Sequence, residues 1–198
     1  AMRIVVTGCA GFIGSHLVPA MVKIGYDVAG TVEPGGANGP AGVPLHIHTI
    51  DICGGRGLAD AFAGADVVIH LAARNHVLRE WSRDPLVEYR KVNVEGTRNV
   101  IRATTEAGAK MFVHLSSVKA MGEESESILD EESPCSPKTP YGVSKLESEE
   151  VIRAESTKNG MCAVILRLPM VYGPRNKGNL PRMIRWAQRG LPFPLFQP

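Results

Sequence analysis

Short, nearly unbroken apolar runs alternate along this chain with longer stretches in which apolar residues recur every three or four positions. The runs RIVVTG (3–8), DVAGTV (27–32), PLHIHTID (44–51), DVVIHLAA (66–73), KMFVHLSS (110–117) and MCAVILRLPMVYG (161–173) read as strands. Helical spacing falls between them: in FIGSHLVPAMVKIG, closed by Gly25; around Leu58 to Phe62; in DPLVEYRKVNVEGTRNVIRATTEAG; from Tyr141 onward; and in a final stretch after GPRNKGNLP. Residues 33–44, rich in Gly and Pro, and the acidic, proline-bearing residues 123–140 read as loops. Strands that are apolar on both faces and alternate with helices predict an α/β domain, a doubly wound parallel sheet flanked by helices.

Composition narrows this picture. The 198 residues, 44% hydrophobic and 21% charged, suffice for one large domain with a sizeable core. A formal net charge of +2 argues against nucleic acid or an acidic membrane as a partner. The late basic stretch RNKGNLPRMIRWAQR also reads as one amphipathic helix with a solvated face. No apolar run reaches the length of a membrane span. Cys9, Cys53, Cys135 and Cys162 form no C-x-x-C pair and fit neither a zinc site nor a compact disulfide framework, so no metal is expected. With MRIVVTG opening directly on a strand, the expectation is a cytoplasmic protein with reduced thiols.

Three groups of residues suggest chemistry. TGCAGFIGSH sets Gly8, Gly11 and Gly14 immediately after the first strand, with Phe12 and Ile13 at the helix entrance. Glycines there permit a tight turn and close approach to a pyrophosphate, which the helix N-terminus then attracts. At the end of the second strand stands Glu33, with no Lys or Arg beside it. A carboxylate accepts from a ribose 2′-OH and repels a 2′-phosphate, which favours NAD over NADP; a solvated loop glutamate is the plain alternative. Lastly, TPYGVSK sets Tyr141 four residues before Lys145, on one helix face. An ammonium beside a phenol, together with a positively charged nicotinamide, would pull the phenol toward ionisation at working pH. Ser116 and Ser117, at the end of the fifth strand, can supply a hydroxyl to the reacting oxygen. Singly, each feature has a structural explanation; in this order they reinforce one another.

The segments TGCAGFIG, DIC, HLAAR, VNVEGT, LSSV, YGVSK and LRLPMVYGP, in that order, resemble the extended short-chain dehydrogenase/reductase family, in particular its nucleotide-sugar epimerase/dehydratase branch. The resemblance implies a Rossmann-like NAD-binding domain over residues 1–174 and the start of a substrate-binding region over 175–198, most of which would lie beyond this chain. It implies that Asp51 and Ile52 hold the adenine and that Leu71, Ala72 and Ala73 line the cofactor. Asn93 would be a buried support at the cofactor site, Tyr141 the catalytic base, Lys145 its partner and Ser117 the hydroxyl on the sugar. Asn179, in GNLP, would touch the substrate diphosphate. Sugar dehydratases of this branch carry an Asp-Glu pair after the strand-five hydroxyl residue, where this chain has Val118 and Lys119, so elimination is disfavoured. Many relatives carry Asn where Met170 follows Arg167 by three. The implied function is a UDP-sugar 4-epimerase, with a 4-keto-sugar reductase using NADH or NADPH, or a non-catalytic dinucleotide-binding protein, as alternatives. A homodimer is the implied assembly.

Overall fold

A computed structural model describes residues 1–75, 82–125, 127–176 and 180–190. Its sheet is built from β1 (Arg3–Thr7), β2 (Asp27–Val32), β3 (His46–Thr49), β4 (Val67–His70), β5 (Met111–Ser117) and β6 (Cys162–Leu168). All are parallel, in the order β3-β2-β1-β4-β5-β6. The chain winds outward from β1 to β3 and then returns to the other side of β1 at β4. The crevice between the carboxyl ends of β1 and β4 is therefore the topological switch point, where open α/β sheets bind ligands.

Alternation along β1 explains its unbroken apolar character. Val5 points into a core shared with Phe62, Val68, Ile101, Phe112 and Ile152, while Ile4 and Val6 point into the opposite core with Val18, Met21 and Val28. The first core lies under α2 (Leu58–Phe62), α4 (Thr97–Glu106) and α5 (Pro140–Asn159); the second lies under α1 (Gly14–Lys23). β6 behaves differently. It is an edge strand in which no residue is fully buried, so the expectation of two covered faces does not hold there.

Several strands stop short of their apolar runs. β4 ends at His70 because Thr7 diverts the chain: its Oγ1 accepts from the N–H groups of Leu71 and Ala72, both at 3.2 Å. β6 ends at Leu168, leaving Met170, Val171 and Tyr172 exposed. The single helix expected over 84–108 is interrupted. α3 (Pro85–Arg90) starts at Asp84, whose Oδ1 accepts from Val87 N at 3.3 Å, and a π-helical turn over Lys91–Gly96 precedes α4. That wider turn directs Asn93, Val94 and Gly96 inward. A methyl at Gly96 would come within 2.8 Å of Ile52 Cδ1.

α5 begins as its sequence suggests. Thr139 Oγ1 accepts from Gly142 N at 3.2 Å, Pro140 occupies the first turn, and Gly160 closes the helix at φ 65°. No helix among the described residues is long and apolar enough to cross a membrane, and none of their His, Cys, Asp and Glu side chains form a metal-binding group.

Candidate active site

Gly8 leaves β1 with φ 66°, and a Cβ there would lie 2.9 Å from both N and Cα of Ala72. The loop thus runs against the exit of β4 at a distance that only glycine allows. At Gly14, a Cβ would lie 2.7 Å from the carbonyl oxygens of Gly8 and Cys9, which brings the first turn of α1 down onto the sheet. Two adjoining cavities open over this loop and share Gly8, Gly11, Leu71 and Ala73. The larger, of about 520 Å³, reaches Glu33, Asp51, Ile52 and Ala72. The smaller, of about 200 Å³, reaches Phe12, Ile13, Gly14, Ser116, Ser117, Tyr141 and Lys145.

This division suits a dinucleotide. One lobe has a carboxylate at the end of β2 and an apolar floor at Ile52 for an adenosine. The waist is bare glycine backbone at a helix N-terminus for the pyrophosphate, and the second lobe holds the titratable groups. The residues present therefore fit NAD. Arg74, not anticipated from the sequence, also lines the larger cavity, with its guanidinium carbon 5.4 Å from the ring centroid of Tyr89. HLAAR contained it, but an arginine after a strand carries no signal of where its side chain turns.

Asn93 lines neither cavity. It is buried behind them, where its Oδ1 accepts from Arg74 N at 2.8 Å and its Nδ2 donates to Arg74 O at 3.1 Å and Ser144 Oγ at 3.0 Å. It ties the segment after β4 to α5. Asn179 lies outside the described residues.

Tyr141 and Lys145 both face the smaller cavity from the first turns of α5. The Tyr141 ring meets the Tyr89 ring edge-on, with centroids 5.9 Å apart. Burial raises the phenol above its ordinary value, although a hydrogen bond with Ser117 favours the phenolate. Burial is thus the dominant influence on the phenol, ahead of any pull from Lys145. Lys145 is itself anchored. Its Nζ donates to Leu115 O at 2.7 Å and lies 3.2 Å from His114 Nε2, in surroundings that leave the residue 2% exposed. Burial lowers Lys145 to about 8, opposed by the Glu149 carboxylate.

Two buried histidines lie behind the lysine, with rings stacked at 5.3 Å. His70 is lowered to about 3 by burial and then by the Lys145 charge, and it bonds Thr7 Oγ1 at 2.7 Å and Thr97 Oγ1 at 3.0 Å. His114 falls well below its ordinary value, through burial first and then the charges of Lys145 and His70. Both remain neutral at ordinary pH.

Ser117 is the member of the serine pair that meets Tyr141 at the cavity, with its Oγ also accepting from Lys119 N at 3.2 Å. Ser116 lines the same cavity, but its hydroxyl donates to Glu149 Oε1 at 2.5 Å. Glu149 is fully buried and also receives Arg167. Neither Glu149 nor Arg167 stood out in the sequence as part of the site, because their meeting depends on the packing of α5 against β6.

A parallel sheet with a glycine loop at its switch point and a Tyr-Lys-Ser group at its carboxyl edge defines an NAD-binding domain of the extended short-chain dehydrogenase/reductase class. Residues 4–198 match the NAD dependent epimerase/dehydratase family, and the chain belongs to it. It is 33% identical over 194 residues to a UDP-glucose 4-epimerase of Vibrio cholerae, covering 96% of this chain and 58% of that protein. It is 32% identical over 194 residues to a dTDP-glucose 4,6-dehydratase of Streptomyces niveus, covering 87% of this chain and 55% of that one. The solved structure of a UDP-glucuronic acid 4-epimerase from Bacillus cereus in complex with NAD is similar at a TM-score of 0.79 and 30% identity, over 96% of this chain and 65% of that one. The chain spans less than two-thirds of each of these proteins.

Proposed function

We propose that the protein carrying this chain is a UDP-sugar 4-epimerase that oxidises its substrate transiently at C4. The observation that carries this reading is the convergence of Tyr141, Ser117 and Lys145 on the cavity at the far end of the glycine waist from Glu33. Bound NAD supplies a hydride acceptor that can return what it takes. The chain's own groups do the rest. Ser117 holds the C4 oxygen by a hydrogen bond, and Tyr141, ionised when the positively charged nicotinamide lies beside it, takes the proton from that oxygen as phenolate and gives it back as phenol. Lys145, fixed by Leu115 O and His114, lines the same cavity, where its positive charge favours the phenolate. The 4-keto sugar, once turned over within the site, is reduced on its opposite face.

The choice against dehydration rests on Val118 and Lys119. A 4,6-elimination needs an acid and a base near C5 and C6, and the short 3-10 turn after Ser117 offers an apolar side chain and a cation instead. Glu33 and the absence of a cation beside it in the sequence support NAD at the adenosine ribose. The test is incubation of the full-length protein with a panel of UDP-sugars. Formation of the 4-epimer without added cofactor is expected, with NAD released from the denatured protein. Absence of any 4-epimer across the panel, or net consumption of NADH or NADPH on a 4-keto sugar, would refute it.

A further inference from the structure

We propose that Glu149 is a positioning residue of this site, whose carboxylate locks α5 to the ends of β5 and β6 and supplies the counter-charge that keeps Lys145 protonated. Glu149 follows Lys145 by one helical turn and Tyr141 by two, and no part of it is exposed. Its Oε1 accepts from Ser116 Oγ at 2.5 Å and from Arg167 Nε at 3.1 Å. Its Oε2 accepts from Arg167 Nη2 at 2.7 Å, Arg167 Nε at 3.2 Å and Arg153 Nη2 at 2.9 Å. One carboxylate thus joins the helix that bears the tyrosine and lysine to two strand ends.

Both strand ends form walls of the smaller cavity. Ser116 precedes Ser117, and Arg167 precedes Leu168 and Pro169, which line that cavity. Ser116 and Arg167 are register partners across β5 and β6, so Glu149 grips the sheet at one rung. Its carboxyl group stays below the usual range because the bonds from Arg167, Ser116 and Arg153 outweigh the cost of its burial. The groups facing Lys145 are His114 from β5, His70 from β4, and Tyr141 and Glu149 from α5 itself. Without NAD the histidines and the phenol are neutral, which leaves Glu149 as the anion in that set. Arg167 from β6 and Arg153 from α5 face Glu149.

This inference deepens the reading above and rests on it only in taking Tyr141 and Lys145 as the working pair. Its test reads the lysine directly. The ¹³Cε resonance of Lys145 is titrated by NMR in the wild-type chain and in Glu149→Gln, without substrate, and NAD affinity is measured against pH in parallel. Wild-type Lys145 is expected to titrate near 8. Loss of a carboxylate about one helical turn away should weaken its proton affinity roughly tenfold and move the alkaline limb of NAD binding down by the same factor. A role in packing alone would lower Tm and leave the titration in place. A folded Glu149→Gln chain whose Lys145 titrates within twofold of wild type would overturn the proposal. If that variant fails to fold, the double variant Glu149→Gln/Arg167→Gln removes both charges and keeps facing amides. Read against Arg167→Gln alone, from which it differs only in the carboxylate, a weaker Lys145 proton affinity in the double variant supports the proposal, and an unchanged one overturns it. Since no turnover is measured, the outcome is independent of whether the protein proves to be an epimerase.

Discussion

Replacing Gly8 with alanine should show how much the cofactor loop depends on close backbone contact. The residue sits at φ 66°, where a side chain costs about 1–2 kcal/mol. The added methyl would also lie 2.9 Å from N and Cα of Ala72 and 3.2 Å from the carbonyl carbon of Leu71, all backbone atoms that cannot swing aside. Overpacking of that kind costs about 1–3 kcal/mol, so the total is about 2–5 kcal/mol. Gly25 is an internal control, because it has φ 94° and nothing within 4 Å of the position a Cβ would take. Gly25→Ala should therefore cost only the conformational part, about 1–2 kcal/mol. Gly11 separates folding from binding. Its methyl would meet only Gly8 O, at 3.1 Å, within the waist shared by both cavities. Gly11→Ala should leave stability within about 1 kcal/mol of wild type while weakening NAD at least roughly tenfold. Urea denaturation with matched m-values gives the stabilities, and calorimetric titration with NAD gives the affinities. If Gly8→Ala is no more destabilising than Gly25→Ala, the loop does not press on the β4 exit as described. If Gly11→Ala binds NAD like wild type, the waist does not hold the pyrophosphate.

Tyr141→Phe keeps the ring against Tyr89 and removes the proton acceptor; kcat should fall by roughly 10²–10⁴ while NAD affinity stays within about twofold, as read by steady-state kinetics and calorimetry. Lys145, lowered from 10.5 to about 8, binds fewer protons folded than unfolded between those values. The stability of wild type relative to Lys145→Met should therefore rise from pH 8 toward pH 10.5, by up to about 3 kcal/mol, in denaturation curves run across that window. His70, lowered from 6.5 to about 3, acts in acid. The unfolded chain takes its proton first, so the stability tied to a neutral His70 is complete above pH 6.5 and is lost as pH falls toward 3. Acid unfolding followed by circular dichroism should be shallower in His70→Gln, with a difference of up to about 5 kcal/mol at the acid end.

Much of the fold was legible because its signals are local. β1 and β2 declare themselves by short, largely apolar runs, and α5 by the helical spacing that begins at Tyr141. The glycine loop and the Tyr141–Lys145 spacing were legible for the same reason, since each lies within one turn or one loop. The break at Lys91–Gly96 was not, because a single wider turn hardly disturbs a 3.6-residue period. The early exit of β4 depends on a side chain 64 residues away, Thr7, accepting from Leu71 N. Glu149 illustrates the limit at the site. In the sequence it is one more acidic residue in LESEE; its function depends on Ser116 and Arg167, 33 and 18 residues distant, meeting it inside the protein. The burial of Tyr141 was not legible for a related reason: helical spacing sets the phenol and the ammonium on one face, but it does not say how dry that face is or which carbonyl holds the lysine.

The central claim is that C4 of a UDP-sugar gives up its hydride and takes the same hydride back on the other face while Tyr141 handles the proton. A UDP-sugar bearing deuterium at C4, incubated with the full-length protein in ordinary water, should give the 4-epimer with deuterium still at C4. Inversion accompanied by loss of the label to water would contradict the account, as would label that remains only in unreacted substrate.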